Sequence, residues 1–229
     1  MLPELLNGEV GFISFIQYVI SALIVIFLTM PVHEWAHGFV AFKLGDPTPR
    51  YLGRLTLNPL AHIDYVGALM ILLFGFGWAK PVQVNSRYFK NPKWGMAITA
   101  FAGPLANIIV AFISLLIAFG IIYTTTWLSY SVIWLNFILS VLIFIAQINI
   151  SLAVFNLIPI PPLDGSKLLS ALLPNRIYYR IMQYERYFFI VIVLLLVTGI
   201  LNYPLDLLFE FVFTGVGFLA ELPFKLIFG

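Results

Sequence analysis

Residues 12–43 read FISFIQYVISALIVIFLTMPVHEWAHGFVAFK, and this stretch decides what kind of fold the chain can adopt. Its first nineteen residues, 12–30, carry no charge. At the α-helical rise of ~1.5 Å per residue, 32 residues run about 48 Å, well beyond the ~30 Å hydrocarbon thickness of a bilayer. Pro31 lies inside the stretch, removes a backbone donor and favours a kink. The pattern predicts a tilted or bent membrane helix whose C-terminal part carries polar chemistry, with a glycine stop near Gly45.

The rest of the chain agrees with that reading. Of 229 residues, 62% are apolar and 10% charged, and the mean hydropathy is +1.01. Soluble domains sit near ~45–50% apolar and ~25% charged, so a single aqueous core of this size would leave much of that surface in water. Further apolar windows lie at residues 96–122, 132–158 and 187–200. A last one, 205–228, is interrupted by Asp206, Glu210, Glu221 and Pro223 and would span or lie at the interface. The expected fold is an all-α polytopic membrane protein of about four to six transmembrane helices. It forms one domain over residues 1–229, with a core at about 12–170 and C-terminal helices at about 186–228. Glu4 and Glu9 stand where a signal peptide would be basic, so the first apolar segment is expected to be retained. The chain has no cysteine, which removes disulfides, thiolate metal sites and cysteine nucleophiles.

Residues 44–93 are the least regular, punctuated by Gly45, Pro47, Pro49, Gly53, Asn58 and Pro59. Within them, residues 66–78 are apolar but too short to span, and Gly75 and Gly77 break the run. Residues 81–85 then alternate apolar and polar as a short strand would. A re-entrant or β-like segment near 66–85 is expected. Irregular backbone at membrane depth is tolerated where protein or a water-filled cavity covers it, so this segment should line a cavity.

Charge gives the orientation. Eleven of the twelve Lys and Arg residues fall at Lys43–Lys93 or Lys167–Arg186, and residues 123–131 have none. The bias of basic residues toward the cytoplasm puts both basic stretches on that side, with the N-terminus and residues 123–131 opposite. Because these charges alternate with the spans, they read as topology and not as a nucleic-acid surface; no nucleic-acid partner is expected.

Within the opening stretch, residues 33–37 read His-Glu-Trp-Ala-His. Positions i and i+4 share a helix face, so His33 and His37 can reach one metal ion while Glu34 stands beside it as a general base. Two histidines packed as polar core residues would need partners that an apolar span does not offer, and ionisable groups in a span mark function by default. A third ligand could come from His62, Asp46, Asp64, Asp164 or Glu185. Asp46, Asp64 and His62 lie among turn residues, where capping or solvation is the usual role. Asp164 ends Asn156-Leu-Ile-Pro-Ile-Pro-Pro-Leu-Asp-Gly165, directly after an apolar span. Proline-forced extension would otherwise suggest a plain turn there. Yet Asp164 and His37 both lie at cytoplasmic ends of spans, at similar depth. An Asp164 oxygen would complete two imidazoles and leave the fourth position open, as a catalytic site requires.

These residues resemble the site-2 protease family of intramembrane metalloproteases. That family's pattern is HExxH on one transmembrane helix and NxxPxPxLDG at a later one. Asn156, Pro159, Pro161, Leu163, Asp164 and Gly165 match every fixed position of the second. Phe101-Ala-Gly-Pro-Leu-Ala-Asn107 is similar to the family's Gly-Pro-x-x-Asn signature. Asn58-Pro-Leu-Ala-His62-Ile-Asp64 is similar to a segment whose histidine is not a metal ligand. The resemblance implies one Zn2+ per chain held by His33, His37 and Asp164, with Glu34 as base. It implies cleavage of transmembrane or juxtamembrane segments of membrane-protein substrates in the bilayer, in a multi-pass protein of a prokaryotic cell membrane with its site toward the cytoplasm. It looks like the compact type, without the PDZ or CBS domain that some members carry.

Asn107 and Asn156 are amide donors in apolar spans. They are candidates for stabilising the oxyanion of peptide hydrolysis, or for plain interhelical hydrogen bonds. An unwound substrate could add edge-on to residues 81–85. Three other readings remain: a transporter or scaffold, a catalytically silent relative, and an HExxH peptidase whose third ligand is Glu185.

Overall fold

The computed structural model describes residues 11–74, 78–127 and 133–228. The N-terminal stretch with Glu4 and Glu9, the pair Gly75 and Gly77, and residues 128–131 of the uncharged turn lie outside them. Helices α1 (Phe12–Ile24) and α2 (Met30–Lys43) are joined by a wider π-helical turn, Val25–Thr29. The Val25 carbonyl takes the Met30 N–H and, at 3.1 Å, the Thr29 hydroxyl. Pro31 has no N–H and its ring would press on the preceding turn; an extra residue just ahead of it relieves both. The expected bend is therefore a widened turn. At the other end Gly45 adopts φ +107° and donates to Phe42 O at 3.1 Å, while Asp46 N–H donates to Ala41 O at 2.9 Å. That is the Schellman stop expected near Gly45.

A one-turn helix α3 (Thr48–Tyr51) and α4 (Tyr65–Phe74) follow. The long α5 (Pro92–Trp127) and α6 (Ile133–Asn156) come next, then α7 (Asp164–Leu172), α8 (Asn175–Met182), α9 (Glu185–Val197) and α10 (Asn202–Phe228). Only residues 128–132 separate α5 from α6, so no further domain is inserted there. Among the described residues four helices are long and apolar enough to cross a membrane: Phe12–Lys43, Pro92–Thr126, Trp134–Asn156 and Asn202–Phe228. The protein is an all-α polytopic membrane protein.

Two expectations change. The window 187–200 is not one helix of spanning length: α9 has 13 residues, about 20 Å at ~1.5 Å per residue, and the chain turns at Gly199 with φ +74°. The interrupted window 205–228, expected to span or lie at the interface, lies in one continuous helix of spanning length. Nor do residues 81–85 form a strand; among the described residues there is none. Residues 78–85 have no regular secondary structure, and their N–H groups go to isolated acceptors and not to a ladder: Lys80 to His62 O at 2.8 Å, Val82 to Glu34 at 2.8 Å and Asn85 to Asp46 at 2.7 Å.

Helix α5 is the hub, packing against α2, α6, α7 and α10. Its buried face is small: Ala97, Ala100, Ala106, Ala111, Ser114 and Ala118. Its exposed face is large: Ile98, Phe101, Leu105, Ile109, Ile113 and Ile117. Lipid solvates large apolar side chains as well as protein does, and small residues let helix backbones approach. The distribution is that of a helix whose solvent is hydrocarbon.

Candidate metal centre

Three buried side chains from two separate parts of the chain converge. His33 and His37 come from successive turns of α2, and Asp164 is the first residue of α7. His37 Nε2 lies 3.1 Å from His33 Nε2 and 2.9 Å from Asp164 Oδ2, and His33 Nε2 lies 3.4 Å from the same oxygen. Tetrahedral ligands at ~2.0–2.1 Å stand about 3.3 Å apart, so the triangle has the size a zinc ion needs. The chemistry agrees. His37 Nδ1 lies 2.7 Å from Thr99 O; a carbonyl only accepts, so Nδ1 carries the proton and the Nε2 lone pair points at the triangle. Lone pairs crowded this closely need a cation between them. Among the described residues these three are the group that could hold a metal. Zinc fits here.

Close packing sets the triangle. Gly103 on α5 faces both imidazoles: a Cβ there would stand 2.6 Å from His33 Nε2. Gly165 lies against the Leu157 and Ile158 carbonyls, with no room for a side chain, which seats the first turn of α7. Lys167, one turn along α7, donates to Asp164 Oδ1 at 2.9 Å and so leaves Oδ2 for the metal.

Glu34 is buried beside the triangle, and its Oε2 accepts the Val82 N–H at 2.8 Å. Both open on a cavity of about 480 Å³ whose walls include Met30, Met70, Trp78, Leu152, Phe155 and Ile192. Asn107 and Asn156 line the same cavity. Neither amide makes a hydrogen bond among the described residues, so the interhelical role is not the one seen. Glu185 is exposed at the start of α9 and outside the group. The other candidates are local anchors: Asp64 caps α4 through Gly67 N–H at 2.9 Å, and His62 Nε2 meets Thr56 O at 2.8 Å. Sequence reasoning missed Thr99 and the Lys167 contact, and it had Gly103 only as part of the Gly-Pro-x-x-Asn signature and Val82 only as part of the 81–85 segment. Lys167, three residues after Asp164, had a spacing signal; Thr99 and Val82 act through backbone atoms and had none.

The profile of peptidase family M50 matches residues 21–133 and 119–198, which contain the whole triangle and Glu34. The chain belongs to peptidase family M50. This M50 peptidase is similar, at 41% identity over 193 residues, to a protein of Bacillus subtilis (strain 168) named "Putative zinc metalloprotease YwhC"; the match covers 84% of this chain and 86% of that one. It is also similar, at 27% identity over 180 residues, to the "Putative zinc metalloprotease Rip2" of Mycolicibacterium smegmatis (strain ATCC 700084 / mc(2)155), covering 76% of this chain and 66% of that one. No solved structure matches it. The M50 peptidase is a zinc metalloprotease of the site-2 protease family and an integral, multi-pass membrane protein.

Proposed function

We propose that this peptidase hydrolyses peptide bonds in or beside the membrane-spanning segments of other membrane proteins, as in regulated intramembrane proteolysis. His33, His37 and Asp164 hold the zinc, and Glu34 is the general base. The observation that carries this reading is the donor triangle and Glu34 opening together on an apolar cavity between helices long enough to span. When bound, the zinc supplies Lewis acidity, polarising a carbonyl and lowering the pKa of water to ~7.

The chain's own residues do the rest. Glu34 takes the proton of the attacking water and returns it to the amine leaving group as the C–N bond breaks. The Asn107 and Asn156 amides donate to the oxygen that gains charge in the tetrahedral state. The apolar walls take side chains of an unwound segment and keep bulk water away from it. Gln83 and Val84 have N–H groups without a partner among the described residues, so an extended substrate can pair there. Val84→Pro tests that pairing; Val82→Pro does not, because the Val82 amide is committed to Glu34. Depth supports a site toward the cytoplasmic end: Gly103 stands eleven residues in from Pro92, about 16 Å of a ~54 Å helix. The basic stretches flank that end, in the cell membrane of a bacterium if its relatives are a guide.

The test is co-expression with tagged single-span reporter proteins. Wild type should release a shortened fragment and Glu34→Ala should release none. Cleavage that persists in Glu34→Ala would sink the assignment.

A further inference from the structure

A carboxylate taken wholly out of solvent needs partners. Asp46, with no exposed surface, has two backbone donors: Thr48 on Oδ1 at 2.9 Å and Asn85 on Oδ2 at 2.7 Å. The first closes a local turn. The second reaches 39 residues along the chain to the end of the segment 78–85, which behaves as a strap across α2. Asp46 is itself fixed to α2, because its N–H is spent on Ala41 O at 2.9 Å. The strap has two further ties, Lys80 N–H to His62 O at 2.8 Å and Val82 N–H to Glu34 Oε2 at 2.8 Å. It also passes alongside the helix: a Cβ on Gly38 would meet Val82 Cγ1 at 3.5 Å, an ordinary van der Waals contact. The hydrogen bonds therefore close a ring, from Glu34 to Val82, along the strap to Asn85, to Asp46, and back down α2 to Glu34.

We infer that Asp46 is a positioning residue for Glu34, acting through the strap. Asp46 is not among the residues lining the cavity, so it does not meet the substrate. It fixes one end of the segment whose Val82 amide orients the base. A carboxylate suits this place because its two oxygens accept independently and its charge strengthens both bonds. The inference rests on Glu34 being the base.

Asp46→Asn is the informative change. The asparagine oxygen keeps one N–H, and its NH2 group confronts the other. The expected result, in purified zinc-loaded enzyme, is faster amide hydrogen exchange across residues 80–85. On the reporter, kcat should fall roughly ten- to a hundredfold, as for a base displaced by a fraction of an ångström to an ångström, with any rise in KM no larger than Val84→Pro gives and one zinc still bound per chain. Asn85→Pro deletes the donor, together with the Asn85 Oδ1 cap on the Arg87 N–H, but leaves the Asp46–Thr48 turn, and should do the same; Asn85→Ala, which loses the cap alone, should leave exchange at Val82 unchanged. Unchanged exchange at Val82 in Asp46→Asn, or a loss of kcat that only tracks lost zinc, overturns the proposal. Reporter cleavage persisting in Glu34→Ala would remove the premise. Exchange requires no catalysis, so it separates a failed strap from a failed base.

Discussion

At the residue scale, Gly103 shows how magnitudes decide. Glycine inside a helix is disfavoured against alanine by about 1 kcal/mol, so on propensity alone Gly103→Ala would stabilise α5. The added Cβ, however, would stand 2.6 Å from the nitrogen with which His33 would bind metal, and crowd His37 as well. Displacing two ligands outweighs the gain in helix. Zinc affinity should fall at least as far as when an outer-shell partner is lost, roughly 10–100-fold, while the protein still inserts; metal analysis after dialysis reads this. The third ligand is tested in the same way. Asp164→Ala should strip the zinc, and Glu185→Ala should keep it, because Glu185 is exposed on α9 and outside the triangle. The reverse result would move the site. His33, Glu34, His37 and Asp164 were legible because their spacing on a helix, and the rarity of ionisable groups in an apolar chain, are written in the side chains. What orients them was not. Thr99 holds His37 with a carbonyl and Val82 holds Glu34 with an N–H, and every residue but proline offers both groups.

At the element scale, the difficulty was telling one apolar face from another. Hydropathy found α1–α2, α5 and α6 because length and lack of charge suffice. It overreached on residues 187–200, where α9 is as apolar as a span but stops after 13 residues, and it left 205–228 open, where α10 is a continuous helix despite Asp206, Glu210 and Glu221. Along α10, Glu221 accepts Tyr123 OH at 3.0 Å and pairs with Lys225 at 2.6 Å, so part of the polarity that interrupted the window is satisfied locally. Residues 81–85 misled because alternation records which side chains face the protein, not whether a second strand is present. In α5 the informative signal is size. Ala111 is fully buried where α5, α6 and α10 meet, whereas Ile109 is 50% exposed. Ala111→Leu should therefore overpack that junction and cost about 1–3 kcal/mol, seen as a lower Tm in detergent. Ile109→Leu, on the lipid side, should leave Tm unchanged. Equal effects would mean that the face assigned to lipid is packed against protein.

At the scale of the whole molecule, the site works on membrane segments only if its open end faces the compartment where the cut end is released, so orientation is the property to measure. Charge is the argument for the proposed orientation, and helix packing decides which ends must share a side. The basic residues gather at the α2 end, the α5 start and the segment after α6, and the one remaining, Lys225, is a single charge against eleven. The direction of α10 comes from packing: Tyr123, near the end of α5, hydrogen-bonds Glu221 and stacks on Phe224 at 5.9 Å. Helices α5 and α10 therefore run parallel and their C-terminal ends share a face. The chain has no cysteine, so single substitutions report without background. In intact bacterial cells treated with a membrane-impermeant maleimide, Thr126→Cys and Ile227→Cys should be labelled at once. Lys90→Cys, just ahead of α5 on the zinc side, should be labelled only after lysis. Labelling of Lys90→Cys in intact cells would turn the protein over and put the metal centre toward the outside. Labelling of Thr126→Cys without Ile227→Cys would instead contradict the parallel packing of α10, and the zinc end would keep its side.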